Sequence, residues 1–590
     1  MRFGRRLSTD LGTVILHWLL VVFFVGAALS GLRIASDDPG LQWLRILDAI
    51  LPVERIWLIH MVSATGLTAT LIAYCVYIVR ARLTPRLSFG AVQLSNLFAA
   101  GRMRWSAAGA LAHWVFIAAM ILEIATGLSL FLGFNSGSLN LHCLGAWICL
   151  AFPAVHVGCH WAYGKGSQLL RVVRPANLVL PTPPPDFAGL LAHHLTKDIS
   201  KPDGIPQPMG ITERRRPLLW AFLAALGATA LATAIEPLTS QTLIAVKVSP
   251  TAVPHLDGDV SDPAWAYAPV TKLLTQHGAN FAGGSGESMV EVRAVHDGTT
   301  IYFAFTWDDP TRSLKNLPLV KRKDGWHLVQ TAHDHADEET YCEDKFAVLV
   351  ARPALRLIGA AIHLAAQPLA GQPASLTGRG LHYLPAGGLA DVWQWHADRA
   401  DIIDDGYFSA PLAATPGQTA GLQRYNGGFV AERGSARYAD NFEPPPPGGI
   451  ALPVRPRRLP KDPAAMAIVM GRLSDNPDLS EQLSARWWMG LAESVAYSQA
   501  ADAAIATGTV IPGVIVLQPK PGSSGIAGAA RWSAGRWTLT LARKMKPATA
   551  SGVPIETGTM MWVAAFDHSE TRHTRHLRPL ILEIDNAGPK

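Results

Sequence analysis

Three scarcities bound what this chain can be. It holds only five cysteines, Cys75, Cys143, Cys149, Cys159 and Cys342, and none sits in a C-x-x-C-H string, which excludes covalent c-type haem attachment. Only Cys342 lies in the second half, so an intramolecular disulfide is excluded there. Charge is scarce too, at 16% of residues against 49% hydrophobic. Beyond about residue 236 there is no apolar run long enough to cross a bilayer. The mean hydropathy of +0.18 and the pI near 9.0 therefore average two unlike parts. A membrane part comes first, and a soluble part of about 345 residues follows, enough for one large domain or two smaller ones.

A spanning helix needs roughly 20 apolar residues. Five segments meet this: 11–32, 56–79, 108–132, 141–163 and 218–235. The first follows Arg2, Arg5 and Arg6, lacks a small-residue cleavage site and carries a histidine, so it reads as a retained helix and not a signal peptide. Basic residues collect between the second and third spans (Arg80, Arg82, Arg86, Arg102, Arg104) and between the fourth and fifth (Lys165 to Arg216). That bias places these loops and the N-terminus in the cytoplasm and the C-terminal domain outside it, in the periplasm of a bacterium with the helices in its inner membrane. The basic residues thus mark membrane lipid, and no nucleic-acid partner is expected. Residues 173–217, with Pro181 to Pro185 (PTPPP), read as an extended cytoplasmic linker. The expected domains are 1–172 for the four-helix part, 173–217 for the linker, 218–235 for the fifth helix and 245–590 for the external domain.

Four histidines, His17, His60, His142 and His156, lie inside the apolar spans. An imidazole in hydrocarbon is costly unless bonded, which marks these positions as functional. At 1.5 Å per residue, His17 lies roughly 9 Å in from the cytoplasmic end of its span and His60 roughly 6 Å in from the outer end of its own. His142 and His156 are 14 residues apart in the fourth span, about 21 Å and close to four turns, so they share a face. Matching depths pairs His60 with His142 at the outer level and His17 with His156 at the inner level. Each pair could clamp one haem iron between facing helices. His160, one turn beyond His156, is the alternative inner ligand. His113 is read as a hydrogen-bonding or quinone-site residue. Glu123, the carboxylate deep in the first four spans, is either a proton carrier coupled to quinone chemistry or a protonated group bonded to a neighbouring helix. Gly26, Gly66, Gly127 and Gly145 offer close approach, although glycine is common in membrane helices.

The His17-Trp18 string, RIWLIH (Arg55 to His60) and LHCLGAWICLAFPAVH with its His142-to-His156 spacing resemble the bacterial cytochrome b561 and hydrogenase or formate dehydrogenase cytochrome b group. The resemblance covers about residues 8 to 175. It implies a four-helix bundle with two b-type haems that exchanges electrons with quinones. The fifth span and the large external domain depart from the simplest members.

The soluble part reads as all-β. Strand-like runs at 289–295, 300–306, 346–351, 513–518, 536–541 and 560–565 are separated by Gly, Pro, Asp and Asn clusters, and a β-sandwich is the economical fold for so many short strands. Trp265, Trp307, Trp393, Trp395 and Trp537 read equally as sandwich core. The strings LDGDVSDPAWAYAPV, VRAVHDGTTIYFAFTWDD, CEDKFAVLV, DVWQWHADR and GRWTLTLAR resemble the haem-binding domain related to the ethylbenzene dehydrogenase γ subunit, over most of 250 to 586. That resemblance implies a sandwich holding one b-type haem as an electron relay beside a molybdenum enzyme. No counterpart of that family's Met and Lys ligands is evident. His568, His573 and His576 in FDHSETRHTRHLRPLIL are candidates, with His396, His363 and His382 as possible partners. The polar cluster of His327, His333, Asp334, His335, Asp337, Glu338 and Glu339 fits no strict ligand template.

These features lead to one expectation: a diheme membrane bundle with a fifth helix and an external sandwich, passing electrons between quinone and a periplasmic redox protein or molybdoenzyme, with a third haem outside. An electron-transfer subunit fits better than a stand-alone enzyme. The alternative keeps the bundle and makes the sandwich a haem-free ligand- or protein-binding module. A terminal oxidoreductase is a third possibility.

Overall fold

The computed structural model describes residues 9–36, 39–47, 50–51, 56–84, 89–133, 137–176, 211–276, 278, 286–329, 341–351, 363–365, 381–383, 390–398, 403–408, 429–431, 438–443, 453–471, 485–517, 526–547, 552–569, 573–576 and 578–587. The chain divides into two compact units, one helical and one rich in strands.

The helical unit contains α1 (Leu11–Ala35), α2 (Ile56–Arg80), α3 (Arg102–Leu132), α4 (Gly137–Leu169) and α5 (Ile211–Thr239). All five are long and apolar enough to cross a membrane. The helices outrun the spans read from hydropathy because backbone hydrogen bonding continues through Arg33, Arg80, Arg102 and Arg104 at their ends, where the apolar runs stop. In α4 the break falls at Gly164 and Lys165, whose φ is 53°, directly after the expected end at Tyr163. Helix α5 begins at Ile211, inside the segment expected to be linker; of that linker, 177–210 lies outside the described residues.

Asp10 caps α1, accepting from Thr13 N at 3.0 Å and from the Tyr77 hydroxyl of α2 at 2.7 Å. Helix α5 packs Leu218, Ala221 and Ala225 against Leu16, Ala73 and Tyr77, and Trp220 lies 4.8 Å beneath the Arg80 guanidinium. The other four helices enclose one apolar layer. Leu20, Phe23, Phe24 and Ala27 come from α1, Leu67 and Leu71 from α2, Phe116, Ala119 and Met120 from α3, and Ile148 and Cys149 from α4.

The strand-rich unit is built on twelve strands: β1 (Gln241–Lys247), β2 (Thr271–Thr275), β3 (Ser288–His296), β4 (Thr300–Asp308), β5 (Lys345–Ala351), β6 (Ala390–His396), β7 (Ile403–Phe408), β8 (Phe429–Ala431), β9 (Ile526–Ser533), β10 (Arg536–Lys544), β11 (Met560–Phe566) and β12 (Leu580–Asp585). They form one continuous sheet in the order β8-β7-β6-β5-β11-β12-β1-β3-β4-β10-β9, with β2 beside β3. Only two residue pairs, Met560 with Ile581 and Met561 with Leu580, join β11 to β12. The sheet curls so that β4 and β10 face β5 and β6, and the expected sandwich is realised as a single, nearly closed sheet. At its far ends Gly528 of β9 admits Ile403 of β7, whose Cδ1 lies 3.1 Å from where a Cβ would stand.

The tryptophans are core. Trp307 stacks on Phe346 with ring centroids 4.5 Å apart, and Trp395 meets Trp537 edge-on at 4.8 Å, each contact bridging the two layers. Trp265, Trp307, Trp393, Trp395 and Trp537 are all buried. One ion pair also crosses this interior: the Arg543 guanidinium on β10 donates to the Asp391 carboxylate on β6. Arg543 also donates to Val553 O at 2.8 Å, and Asp391 accepts from Trp393 Nε1 at 3.1 Å and Val553 N at 3.2 Å. Because the pair is buried and its remaining bonds are filled, deleting one partner strands the other charge. Asp391→Ala is predicted to destabilise the protein by about 3–5 kcal/mol. Thermal unfolding of the purified protein in detergent checks this, and an unchanged Tm refutes it.

Candidate functional site

The helices bring the four buried histidines together as two pairs. His60 of α2 faces His142 of α4 with ring centroids 6.4 Å apart and planes at 79°. His17 of α1 faces His156 of α4 at 6.3 Å and 31°. The pairs flank the apolar layer, as their depths along the helices require.

Two hydroxyls orient the first pair. Ser30 Oγ lies 3.1 Å from His60 Nδ1 and 2.6 Å from Gly26 O. A hydroxyl has one proton, and the short bond to the carbonyl uses it, so Ser30 accepts from the His60 Nδ1–H. On α3 the arrangement repeats: Thr126 Oγ1 is 2.7 Å from Leu122 O and 3.0 Å from His142 Nδ1. Both imidazoles are thereby held in the tautomer that leaves the Nε2 lone pair available to a metal. The next residue is glycine in both cases, and a Cβ at Gly31 or Gly127 would stand 3.3 Å from Cε1 of the histidine it underlies. Hydropathy and spacing pass over Ser30 and Thr126. The signal that would find them is the repeated hydroxyl–glycine dipeptide in the first and third spans.

Glu123 sits beside this pair, its Oε2 3.3 Å from His142 Nδ1 and its Oε1 buried with no hydrogen-bond partner. The second pair is set in a group of imidazoles. His156 lies 4.9 Å from His113 and 4.6 Å from His160, centroid to centroid, and its Nδ1 has no hydrogen-bond partner. His113 donates from Nδ1 to Gly109 O at 2.6 Å.

Imidazoles that ligate one ion from opposite sides, at about 2 Å per metal–nitrogen bond, have ring centroids about 6 Å apart. Both pairs have this separation. The Nε2-presenting tautomers and the aromatic layer between the pairs also suit a porphyrin iron with two axial histidines.

The histidines of the strand-rich unit are placed differently. His576 donates from Nδ1 to Arg578 O at 2.6 Å and accepts at Nε2 from Val563 N at 2.9 Å. Both nitrogens are committed to backbone, and burial lowers its pKa to about 4, so it stays neutral. His396 has Glu343 Oε1 2.7 Å from Nδ1 and Asp404 Oδ2 3.3 Å from Nε2. His576 does not fit the role of axial ligand considered for it from the sequence, whereas His396 is held at Nδ1 by Glu343 and its buried Nε2 has no hydrogen-bond partner. His573 donates from Nδ1 to Thr574 O at 2.8 Å and packs on Phe566. The strands that carry His363 and His382 pair antiparallel, with Leu364 opposite His382. His327 pairs with Asp324 at 3.0 Å, and the rest of its polar cluster, 333–339, lies outside the described residues.

The prokaryotic cytochrome b561 family matches residues 8–174, and the ethylbenzene dehydrogenase family matches 262–578, more than half of the chain. The chain belongs to the ethylbenzene dehydrogenase family, joined to a prokaryotic cytochrome b561 domain. With its five apolar helices it is a multi-pass membrane cytochrome of b type, engaged in electron transfer. A search of curated proteins gave no match. Two solved structures are similar to it. One is a protein assigned to carbohydrate binding from Bacteroides uniformis ATCC 8492, 9% identical with TM-score 0.23, covering 59% of this chain and 100% of its own. The other is a family 9 carbohydrate-binding module from Caldicellulosiruptor kristjanssonii in complex with glucose, 7% identical with TM-score 0.21, covering 59% and 98%. At these scores neither likeness bears on this chain's ligands.

His576→Ala is predicted to leave haem content unchanged and to lower stability by about 1–3 kcal/mol, because Val563 N–H loses its buried acceptor. Haem-to-protein ratio and Tm of the same sample check both parts.

Proposed function

We propose that His60 with His142, and His17 with His156, are the axial ligands of two b-type haems, and that the protein carries electrons between membrane quinone and a periplasmic redox protein or molybdoenzyme. The observation that carries this reading is the separation of both histidine pairs, 6.4 and 6.3 Å between ring centroids. Haem bound there supplies reversible one-electron chemistry. The chain's own residues do the rest. Ser30 and Thr126 hold His60 and His142 with Nε2 turned outward, and the layer from Leu20 to Cys149 keeps water from the space between the pairs. Glu123, beside His142, is placed to hold a proton at Oε1 when quinone chemistry releases or consumes one. His113 lines the other pair and is read as a quinone-site residue, and His160 is the alternative to His156.

The positive-inside bias places the N-terminus in the cytoplasm and the strand-rich domain outside the bacterial inner membrane. Quinol oxidation with outward delivery is the direction we favour, by analogy with b-type subunits of this kind. Membership of the ethylbenzene dehydrogenase family supports a third haem in the external domain, with ligands other than His576. The commitment of both His576 nitrogens to backbone favours, as a second reading, a sandwich that binds a ligand or protein without haem.

Haem counting and visible spectra of the purified whole protein decide between them: three b-type haems per chain support the relay, and two support the binding module. Fewer than two defeats both. His142→Ala is predicted to remove one haem and spare the other, and loss of neither overturns the pairing. Thr126→Val should weaken haem retention at the His60–His142 pair by roughly 10–100-fold, the usual cost of losing a residue that orients a ligand. Haem-to-protein ratio after dilution into apomyoglobin measures it.

A further inference from the structure

One end of the curled sheet gathers buried carboxylates. Asp309 follows β4, Asp344 precedes β5 and Asp567 follows β11; the last two are neighbours because Lys345 of β5 pairs with Phe566 of β11. Their exposures are 0%, 0% and 1%. Asp344, Asp567 and His568 can each offer a ligand atom within 4.8 Å of the others. Asp309 joins them through Thr311, whose hydroxyl lies 3.4 Å from Asp309 Oδ1 and 3.5 Å from Asp567 Oδ1.

Part of this cluster is held in place by conventional bonds. Asp344 accepts from Ser313 N at 2.8 Å, Trp537 Nε1 at 3.1 Å and His568 N at 3.1 Å. His568 has a φ of 31°, in the left-handed region, and its Nδ1 is 2.5 Å from Asp567 Oδ1. Two buried oxygens at the same place have no hydrogen-bond partner: Asp309 Oδ2 and Ser313 Oγ. Among the described residues neither Asp309 nor Asp344 has a Lys or Arg partner. Burial first, and then the neighbouring carboxylates, push Asp309 well above the usual carboxylate range and Asp344 up to about 8. Interiors do not retain two carboxylates that lack a Lys or Arg partner, as Asp309 and Asp344 do among the described residues, together with orphaned oxygens, without a partner for them.

We propose that Asp309, Asp344 and Asp567 form a binding site for a hard divalent cation, Ca2+, with Ser313 Oγ as a further oxygen donor and His568 as the residue that orients Asp567. The carboxylates and the Ser313 hydroxyl offer oxygens, and His568 Nδ1 is engaged by Asp567 Oδ1, a set that selects Ca2+ over thiolate- or imidazole-seeking metals. The cation neutralises the carboxylates and ties together the ends of β4, β5 and β11. This site is separate from both histidine pairs and does not depend on their occupancy.

Terbium(III), a luminescent substitute for Ca2+, is the probe, because the Trp537 indole bonded to Asp344 can sensitise it. In the purified full-length protein, tryptophan-excited terbium luminescence that Ca2+ displaces is expected, together with bound calcium by elemental analysis and a Tm that falls with EGTA and recovers with Ca2+. Asp309→Asn is expected to abolish the luminescence and the EGTA effect while leaving the haem spectrum as in the parent protein. If that variant does not fold, the parent's EGTA and Ca2+ response still decides. Absence of bound calcium and of an EGTA effect in the parent, retention of full luminescence in Asp309→Asn, or a transition metal in place of calcium each overturns the proposal.

Discussion

A buried imidazole has two nitrogens, and each must find something to bond. That demand is met at His60 and His142 in the bundle and at His576 in the strand-rich unit. In the bundle, Ser30 and Thr126 take the Nδ1–H of His60 and His142 because their own protons are spent on helix carbonyls one turn back. The Nε2 atoms are then left to face another ring and not an amide. In the strand-rich unit His576 meets the same demand with backbone alone, giving its proton to Arg578 O and its lone pair to Val563 N. One residue type thus leaves a nitrogen available in one place and ties a strand edge in another, and what differs is only what lies opposite Nε2.

The bundle's other features follow from keeping those pairs at the right separation. Glycine at 31 and 127 lets the ring of each histidine lie against the neighbouring helix, where any side chain would press on Cε1. Gly145 does the same for Glu123. The aromatic layer from α1 and α3 fills the space between the pairs, and α5 packs against α1 and α2 without entering it. The outer helix can therefore be added to a four-helix plan without disturbing the interior.

The strand-rich unit meets a different demand, the closing of a long sheet over a core of large aromatics. Its layers lie face to face, and the indoles of Trp307, Trp395 and Trp537 fill the gap. Polar groups inside are tolerated where they are fully bonded, as at Arg543 and Asp391. Bonding is left incomplete at several buried atoms, among them Asp309 Oδ2 and Ser313 Oγ near Asp344.

The sequence by itself determined whatever depends on local periodicity: five apolar runs, the depth of each histidine along its helix, and the strands around 300–306, 346–351 and 560–565, each found within a few residues of its expected bounds. Helical rise is constant, so depth alone matched His60 to His142 and His17 to His156. The start of α5 at Ile211 escaped, because a helix needs no apolar residues once it leaves the membrane. Only the tertiary structure decided that Ser30 and Thr126 serve the histidines, that His396 and His576 are bound by carboxylates and backbone, and that three aspartates from three strand ends meet. Most of those outcomes depend on the positions of single atoms on segments from 13 to more than 200 residues apart in the chain. Packing sets those positions, and no local pattern encodes them.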